Sequence, residues 1–264
     1  MSAFLTRRSF LSLSATLAAA CTPPSGPGQP PIADGKPSEP GRFTARVQPP
    51  SSPAPPTGES PLGLGVARDG LIYLPRPSGE GPLPLLVLLH GAGGTARRVT
   101  TRTNAFQFAE EFGVVVIAAE SRGVTWDVVR GSLGPDIEFI DAALRHMFAR
   151  VRIDASRLAL GGVSDGASYA LSIGLGNGDL FSHVIAFSPG FINVRRAVGN
   201  PAIFISHGTS DDILPIETTS RRFVPKLKGG GYDVHYREFA GGHMVPPDVS
   251  REAFEWFRGK PKGR

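Results

Sequence analysis

The chain has 264 residues, 41% of them apolar, a net charge of +5 and one cysteine. About 200 residues are enough for one domain with a sizeable hydrophobic core. The basic residues are scattered without a long run, which excludes a nucleic-acid footprint. The lone Cys21 excludes a disulfide framework or thiolate metal site in the domain, and no apolar run reaches the roughly 18 residues of a membrane-spanning helix.

Residues 1–21 read MSAFLTRRSFLSLSATLAAAC. Arg7 and Arg8 precede a short apolar, small-residue stretch, the layout of a secretory leader. Thr6 to Leu11 resembles a twin-arginine export signal, which implies a bacterial protein exported already folded. The end of the leader admits two readings. Ala18-Ala19-Ala20 suits ordinary signal cleavage. Ala19-Ala20-Cys21 resembles the end of a lipobox, in which Cys21 is lipidated and becomes the first residue; Ala18 departs from the leucine usual there. The expected location is the periplasm or cell envelope, with any membrane contact made through a lipid at Cys21, or the medium.

Residues 22–61 are dense in Pro, Gly and Ser and almost free of large apolar side chains. Such a segment buries too little surface to offset its ordering entropy, so a disordered or extended linker is expected. The domain proper is expected over 62–264.

Leu64 to Leu74 reads as an edge strand or hairpin with Asp69-Gly70 as its turn. The continuous apolar run Leu85 to Leu89 suits a strand buried on both faces of a parallel sheet, and His90-Gly91-Ala92-Gly93-Gly94 follows it. A helix is predicted over 98–112, ended by Gly113. Val114 to Ala118 is a second buried strand, and the loop after it carries Trp126 as a residue that could line a substrate site. Gly134-Pro135-Asp136 opens a helix to about Arg150. Short strands are predicted at Leu158–Gly161, Val184–Phe187, Ala202–Ile205 and around Val234 to Phe239. Helices are predicted from Ala167 to Leu175, from Glu217 to Lys228 and from Asp248 to Arg258. Alternating strands and helices give an α/β fold: a mostly parallel central sheet with helices on both faces, whose ligands bind beyond the strands' carboxyl ends.

The chemistry centres on Gly162-Val163-Ser164-Asp165-Gly166. The pentapeptide links a predicted strand to a predicted helix, the context in which G-x-S-x-G is a nucleophile elbow. A serine hydroxyl needs a base, and the base needs an orienting acid. Acid and base follow the nucleophile in this arrangement, so the base lies late in the chain. His243, after Gly241-Gly242 beyond the last strand, is the candidate; His235 alternates within a strand pattern. The acid is Asp211 or Asp212, at the end of another strand, with Asp211 preferred. One of the two is expected to be buried against the imidazole and the other to be solvated or to cap a helix. An oxyanion hole requires two backbone N–H groups, assigned to Asp165 and Ala92. His90 and His207 read as structural hydrogen-bonding residues, and no metal site is assigned.

Four motifs, HGAGG (90–94), GVSDG (162–166), HGTSDDILP (207–215) and GGHMVPPD (241–248), lie in order at strand ends. From about Leu64 to Phe257 the chain resembles the α/β-hydrolase superfamily. Within it the match is to the phospholipase/carboxylesterase and polyhydroxybutyrate-depolymerase-like esterases. The resemblance implies Ser164, Asp211 and His243 as nucleophile, acid and base, the H-G-x-x-D-x-x-x-P spacing favouring Asp211. It implies an ester substrate, small or polymeric, and no cofactor. The acidic Asp165 departs from the family, and its carboxylate has to point away from the oxyanion. Only about a dozen residues separate the strand ending at Phe187 from the next, so little material is available for a lid. A peptidase or amidase on the same triad and a binding protein on a decayed scaffold are the competing readings.

Overall fold

Residues 83–89, LPLLVLL, form a strand, β3 (Leu83–Leu89), in which every side chain after Leu83 is buried. The run is apolar without alternation because both of its faces meet a core. Leu85, Val87 and Leu89 enter one core and Leu86 and Leu88 the other. The computed structural model describes residues 39–259, apart from 78 and 132, and these fall in one compact unit, Gly35–Arg264.

Seven more strands flank β3: β1 (Gly58–Pro61), β2 (Gly70–Leu74), β4 (Val115–Ala119), β5 (Ile153–Val163), β6 (His183–Phe187), β7 (Ala202–Gly208) and β8 (Val234–Phe239). The sheet order is β1-β2-β4-β3-β5-β6-β7-β8. The pairs β1–β2 and β2–β4 are antiparallel and the other five pairs parallel. The chain runs from β3 to β4 on one side and then crosses to β5 on the other. The strand order therefore reverses at β3/β5, where open α/β sheets leave a crevice at their carboxyl edge.

Six helices cover the sheet: α1 (Ala96–Arg102), α2 (Ala105–Phe112), α3 (Pro135–Phe148), α4 (Asp165–Leu175), α5 (Ser220–Gly229) and α6 (Pro247–Arg258). Buried residues of α3, α4 and α5 pack on one face, and those of α1, α2 and α6 on the other. The layered α/β architecture expected from the alternating pattern is the one observed.

Three local expectations differ. The helix predicted over 98–112 is two helices, broken at Asn104, whose φ of 48° is left-handed. Thr100 and Thr101 both bond back to the Arg97 carbonyl and Thr103 to that of Val99. Such hydroxyls compete with the helical ladder, and asparagine tolerates the left-handed turn that follows. The hairpin is formed by β1 and β2 instead of turning at Asp69-Gly70. The carboxylate of Asp69 receives the N–H groups of Gly63 and Leu64 and holds the longer loop between those strands.

The third correction concerns the linker expected over 22–61. Its described part is fastened to the domain. Phe43 is 2% exposed and meets Phe181 edge to face at 5.4 Å. The Phe43 N–H donates to Asn177 Oδ1 at 3.0 Å, and those of Thr44 and Ala45 to Asp141 Oδ1 at 2.9 and 2.7 Å. The segment is extended, so its backbone donors depend on buried acceptors from α3 and from the turn after α4. A composition average does not register that dependence. The leader and Cys21 lie outside the described residues.

Candidate active site

β5 passes into α4 through Ser164, whose φ of 58° and ψ of −118° are sparsely populated for a residue with a side chain. Its N–H donates to the Phe187 carbonyl at 2.9 Å, and its carbonyl receives Ser168 Oγ at 3.1 Å. The two flanking glycines are required. A Cβ on Gly162 would stand 2.4 Å from the Gly166 carbonyl carbon, and one on Gly166 would stand 2.5 Å from the Leu89 oxygen. Any larger residue would separate the strand from the helix or push both off β3. Ser164 occupies the N-cap position of α4 without a side-chain capping bond. Its hydroxyl is therefore not consumed in stabilising the helix.

The loop after β3 reaches the same point. A Cβ on Gly91 would lie 3.3 Å from Ser164 Cβ, so the bare backbone rests against the nucleophile elbow. The loop's donors can be accounted for singly. The Gly93 N–H bonds the Val124 carbonyl at 2.8 Å and the Gly94 N–H the Gly91 carbonyl at 3.0 Å. Among the described residues, the Ala92 N–H has no internal acceptor. The Asp165 N–H, in the first turn of α4, lacks one too, as helix geometry requires. These are the two groups assigned to an oxyanion hole. The Asp165 carboxylate, the departure from the family, is bonded by Thr125 Oγ1 at 2.6 Å, which ties it to the loop after β4.

His90 supports this loop. Its Nε2 accepts the Ser121 N–H at 3.1 Å, so Nδ1 carries the proton and donates to the Gly91 carbonyl at 2.7 Å. Burial holds its pKa below the ordinary histidine range, against the opposing pull of the Gly91 carbonyl. Trp126 corrects an expectation. It is fully buried, donates from Nε1 to the His90 carbonyl at 2.7 Å and packs against Tyr169. It lines no substrate surface; an indole needs a partner for its N–H when buried, and here that partner braces the loop from below.

Asp211 follows β7 and His243 follows β8. His243 Nδ1 donates to Asp211 Oδ2 at 2.7 Å. A carboxylate only accepts, so this bond places the proton on Nδ1 and leaves the lone pair on Nε2. Asp211 Oδ1 receives the N–H groups of Ile213 and Leu214 at 3.0 and 2.8 Å. Burial pushes the Asp211 carboxyl up, but the Leu214 N–H and the two imidazoles near it outweigh burial and hold it below its ordinary value. Asp212 is exposed, and of the two acids Asp211 is the one that is buried and bonded to the imidazole. Arg102 of α1 donates to the His243 carbonyl, drawing the base's loop toward the helix that follows the 90–94 turn.

Sequence reasoning did not anticipate Thr125, Ser168 and Arg102 as supports. Thr125 and Arg102 each act through a side-chain bond to a residue distant in sequence, and Ser168 joins the Ser164 carbonyl to the N–H groups of Gly190 and Phe191, which no local pattern marks. Among the described residues no group of three or more His, Cys, Asp or Glu side chains is arranged to hold a metal.

The Esterase family model matches residues 63–246. The chain belongs to the Esterase family. Its sheet is the α/β-hydrolase fold. The chain is similar to acetylxylan esterase A of Emericella nidulans, with 29% identity over 138 residues, 50% of this chain and 44% of that protein. It thus spans less than half of that relative's length. Among solved structures it is similar to esterase PE8, with 25% identity and a TM-score of 0.57, covering 72% of this chain and 97% of the other. It is also similar to S-formylglutathione hydrolase FrmB of Staphylococcus aureus, with 16% identity, a TM-score of 0.58 and coverage of 72% and 92%; that likeness shows the fold alone.

Proposed function

We propose that the protein is an exported serine esterase that hydrolyses carboxylic esters through Ser164, His243 and Asp211. The observation that carries this reading is the 2.7 Å bond from His243 Nδ1 to a buried Asp211, at the same sheet edge as the strained Ser164. Ser164 Oγ attacks the ester carbonyl while His243 Nε2 takes the hydroxyl proton. Asp211 holds the imidazole and stabilises its charged form. The N–H groups of Ala92 and Asp165 receive the developing oxyanion. The carbonyl–oxygen bond then breaks, and the proton on Nε2 passes to the leaving alcohol. A water activated by the same imidazole cleaves the acyl-serine, releasing the acid and restoring the hydroxyl.

An open site is supported by the connection from β6 to β7: residues 188–201 contain neither helix nor strand. Its rim is apolar. Val124, Ile213 and Met244 are the exposed large hydrophobic residues among those described. They stand beside the oxyanion loop, the acid and the base. A shallow rim of this kind suits an ester presented at a surface or carrying a short apolar chain. Arg7-Arg8 and Cys21 support export and lipid anchoring, which mass spectrometry of the mature N-terminus tests directly.

Short-chain p-nitrophenyl esters and amino-acid p-nitroanilides, offered to wild type and Ser164→Ala, test the activity. Ester turnover abolished by the substitution is expected. Turnover of the anilides at a comparable rate would favour an amidase, and no turnover of either would leave a binding protein.

A further inference from the structure

Beside the nucleophile the structure holds a cleft of about 110 Å³, lined by Gly91, Ala92, Val99, Arg98, Arg102 and Val163. Two of these residues belong to the oxyanion turn, and Val163 directly precedes Ser164. The Gly91 backbone closes the gap, since a Cβ there would come within 3.8 Å of Ser164 Oγ. The cleft thus abuts the turn that carries Ser164, through Gly91 and Val163.

Its charged lining is wholly basic. Arg98 and Arg102 are four residues apart on α1, so their side chains share one face of the helix. A like-charge pair at that spacing disfavours the helix by a few tenths of a kcal/mol in isolation, and α1 carries no acid to offset it. Neither arginine forms a salt bridge among the described residues, whereas neighbouring Arg97 is paired with Glu59. Arg98 has no side-chain partner of any kind there. Arg102 spends one amine on the His243 carbonyl, which fixes its guanidinium at the cleft. Two guanidinium forks beside a partly enclosed wall concentrate positive potential where it acts on a bound molecule, and their planar donors match a carboxylate or phosphate.

We propose that Arg98 and Arg102 form an anion subsite, and that the preferred substrates are esters carrying a carboxylate or similar anion a few bonds from the scissile carbonyl. The inference rests on the serine-esterase reading and adds the charge of the substrate to it. Arg98 is the specificity residue. Arg102 both completes the subsite and positions the loop of the base, so substitution of Arg98 separates the two roles.

The test is the ratio of kcat/KM for an anionic ester to that for a neutral one of similar size. p-Nitrophenyl hemisuccinate against p-nitrophenyl butyrate places the anion on the acyl side. 4-Acetoxybenzoate against phenyl acetate places it on the alcohol side. One of the two ratios is expected to exceed unity in wild type and to fall about 10-fold in Arg98→Gln, the size of one exposed charge-assisted contact. It should also shrink as salt is raised, because the cleft is open. Arg97→Gln, which removes an equal charge already paired with Glu59, should leave the ratio where it was. If Arg98→Gln leaves both ratios unchanged, or if both fall equally with Arg97→Gln, the subsite is overturned. Calorimetric binding of monoethyl succinate to Ser164→Ala reads the cleft without turnover. Binding lost on adding Arg98→Gln supports the subsite even if no ester is hydrolysed; no binding refutes it even if neutral esters are.

Discussion

His243 and His207 converge on one oxygen. Oδ2 of Asp211 receives His243 Nδ1 at 2.7 Å and lies 3.2 Å from His207 Nε2. His207 is itself fixed at both nitrogens: Nε2 donates to the Leu214 carbonyl at 2.8 Å, and Nδ1 meets Ser220 Oγ at 2.7 Å. Burial holds its pKa below the ordinary range, although the Leu214 carbonyl and Asp211 oppose the shift. A neutral, doubly anchored imidazole thus limits where the acid can lie. In the proposed mechanism His207 is a positioning residue: it is fully buried and acts through Asp211.

His207→Gln should therefore lower kcat by roughly 10²-fold, the cost of a small misplacement of a reacting group, while KM stays near its wild-type value. Steady-state kinetics separates the two parameters. A rise in KM with kcat preserved would place His207 in substrate binding instead.

The two adjacent acids should behave differently. Asp211→Asn removes the acceptor that holds His243 in its Nδ1–H form, and turnover should fall by about 10⁴-fold. Asp212 is exposed, and Asp212→Asn should stay within about twofold of wild type. Initial rates on one p-nitrophenyl ester compare them, and reversed effects would transfer the acid's role to Asp212.

The arrangement of the candidate site was legible in the sequence because it depends on fixed spacings. G-x-S-x-G demands a tight turn, and glycines 162 and 166 occupy positions where a Cβ would collide with backbone. The glycine-rich turn after β3 and the polar ends of β7 and β8 were equally local. What escaped were contacts that no local pattern records, most of them made across the fold. Trp126 looks like a loop aromatic until its N–H is seen on the His90 carbonyl. Phe43 looks like a lone aromatic in a linker until its ring meets Phe181. The break at Asn104 depends on three threonine hydroxyls choosing carbonyls within their own turn.

The strap around Phe43 should contribute to stability without touching catalysis. Phe43→Ala removes a buried aromatic side chain, and a loss of about 3–5 kcal/mol is expected. Denaturant unfolding measures the loss, and turnover per folded molecule should be preserved. An unchanged midpoint would mean that the segment lies on the domain without stabilising it.

Acid should destabilise the fold partly through His183. Burial, reinforced by Arg157, lowers its pKa to about 4 from 6.5, and its ring stands edge-on to Trp256 and Phe257, each at 5.1 Å. The folded value lies below the unfolded one, so between them the unfolded chain binds the extra proton. Stability from this group is thus complete above pH 6.5 and is lost as pH falls toward about 4, by up to roughly 3 kcal/mol. Unfolding free energies measured across that window should slope less steeply in His183→Gln than in wild type. Equal slopes would assign the acid sensitivity to other groups.

The central claim is that Ser164 is the nucleophile, and covalent trapping tests it most directly. The protein, incubated with diethyl p-nitrophenyl phosphate, should release one equivalent of p-nitrophenol and lose ester hydrolysis in parallel. Peptide mass spectrometry should then find a single diethylphosphoryl group, carried by Ser164, and Ser164→Ala should neither react nor turn over esters. An adduct on any other residue, or ester hydrolysis that survives in Ser164→Ala, would contradict the account.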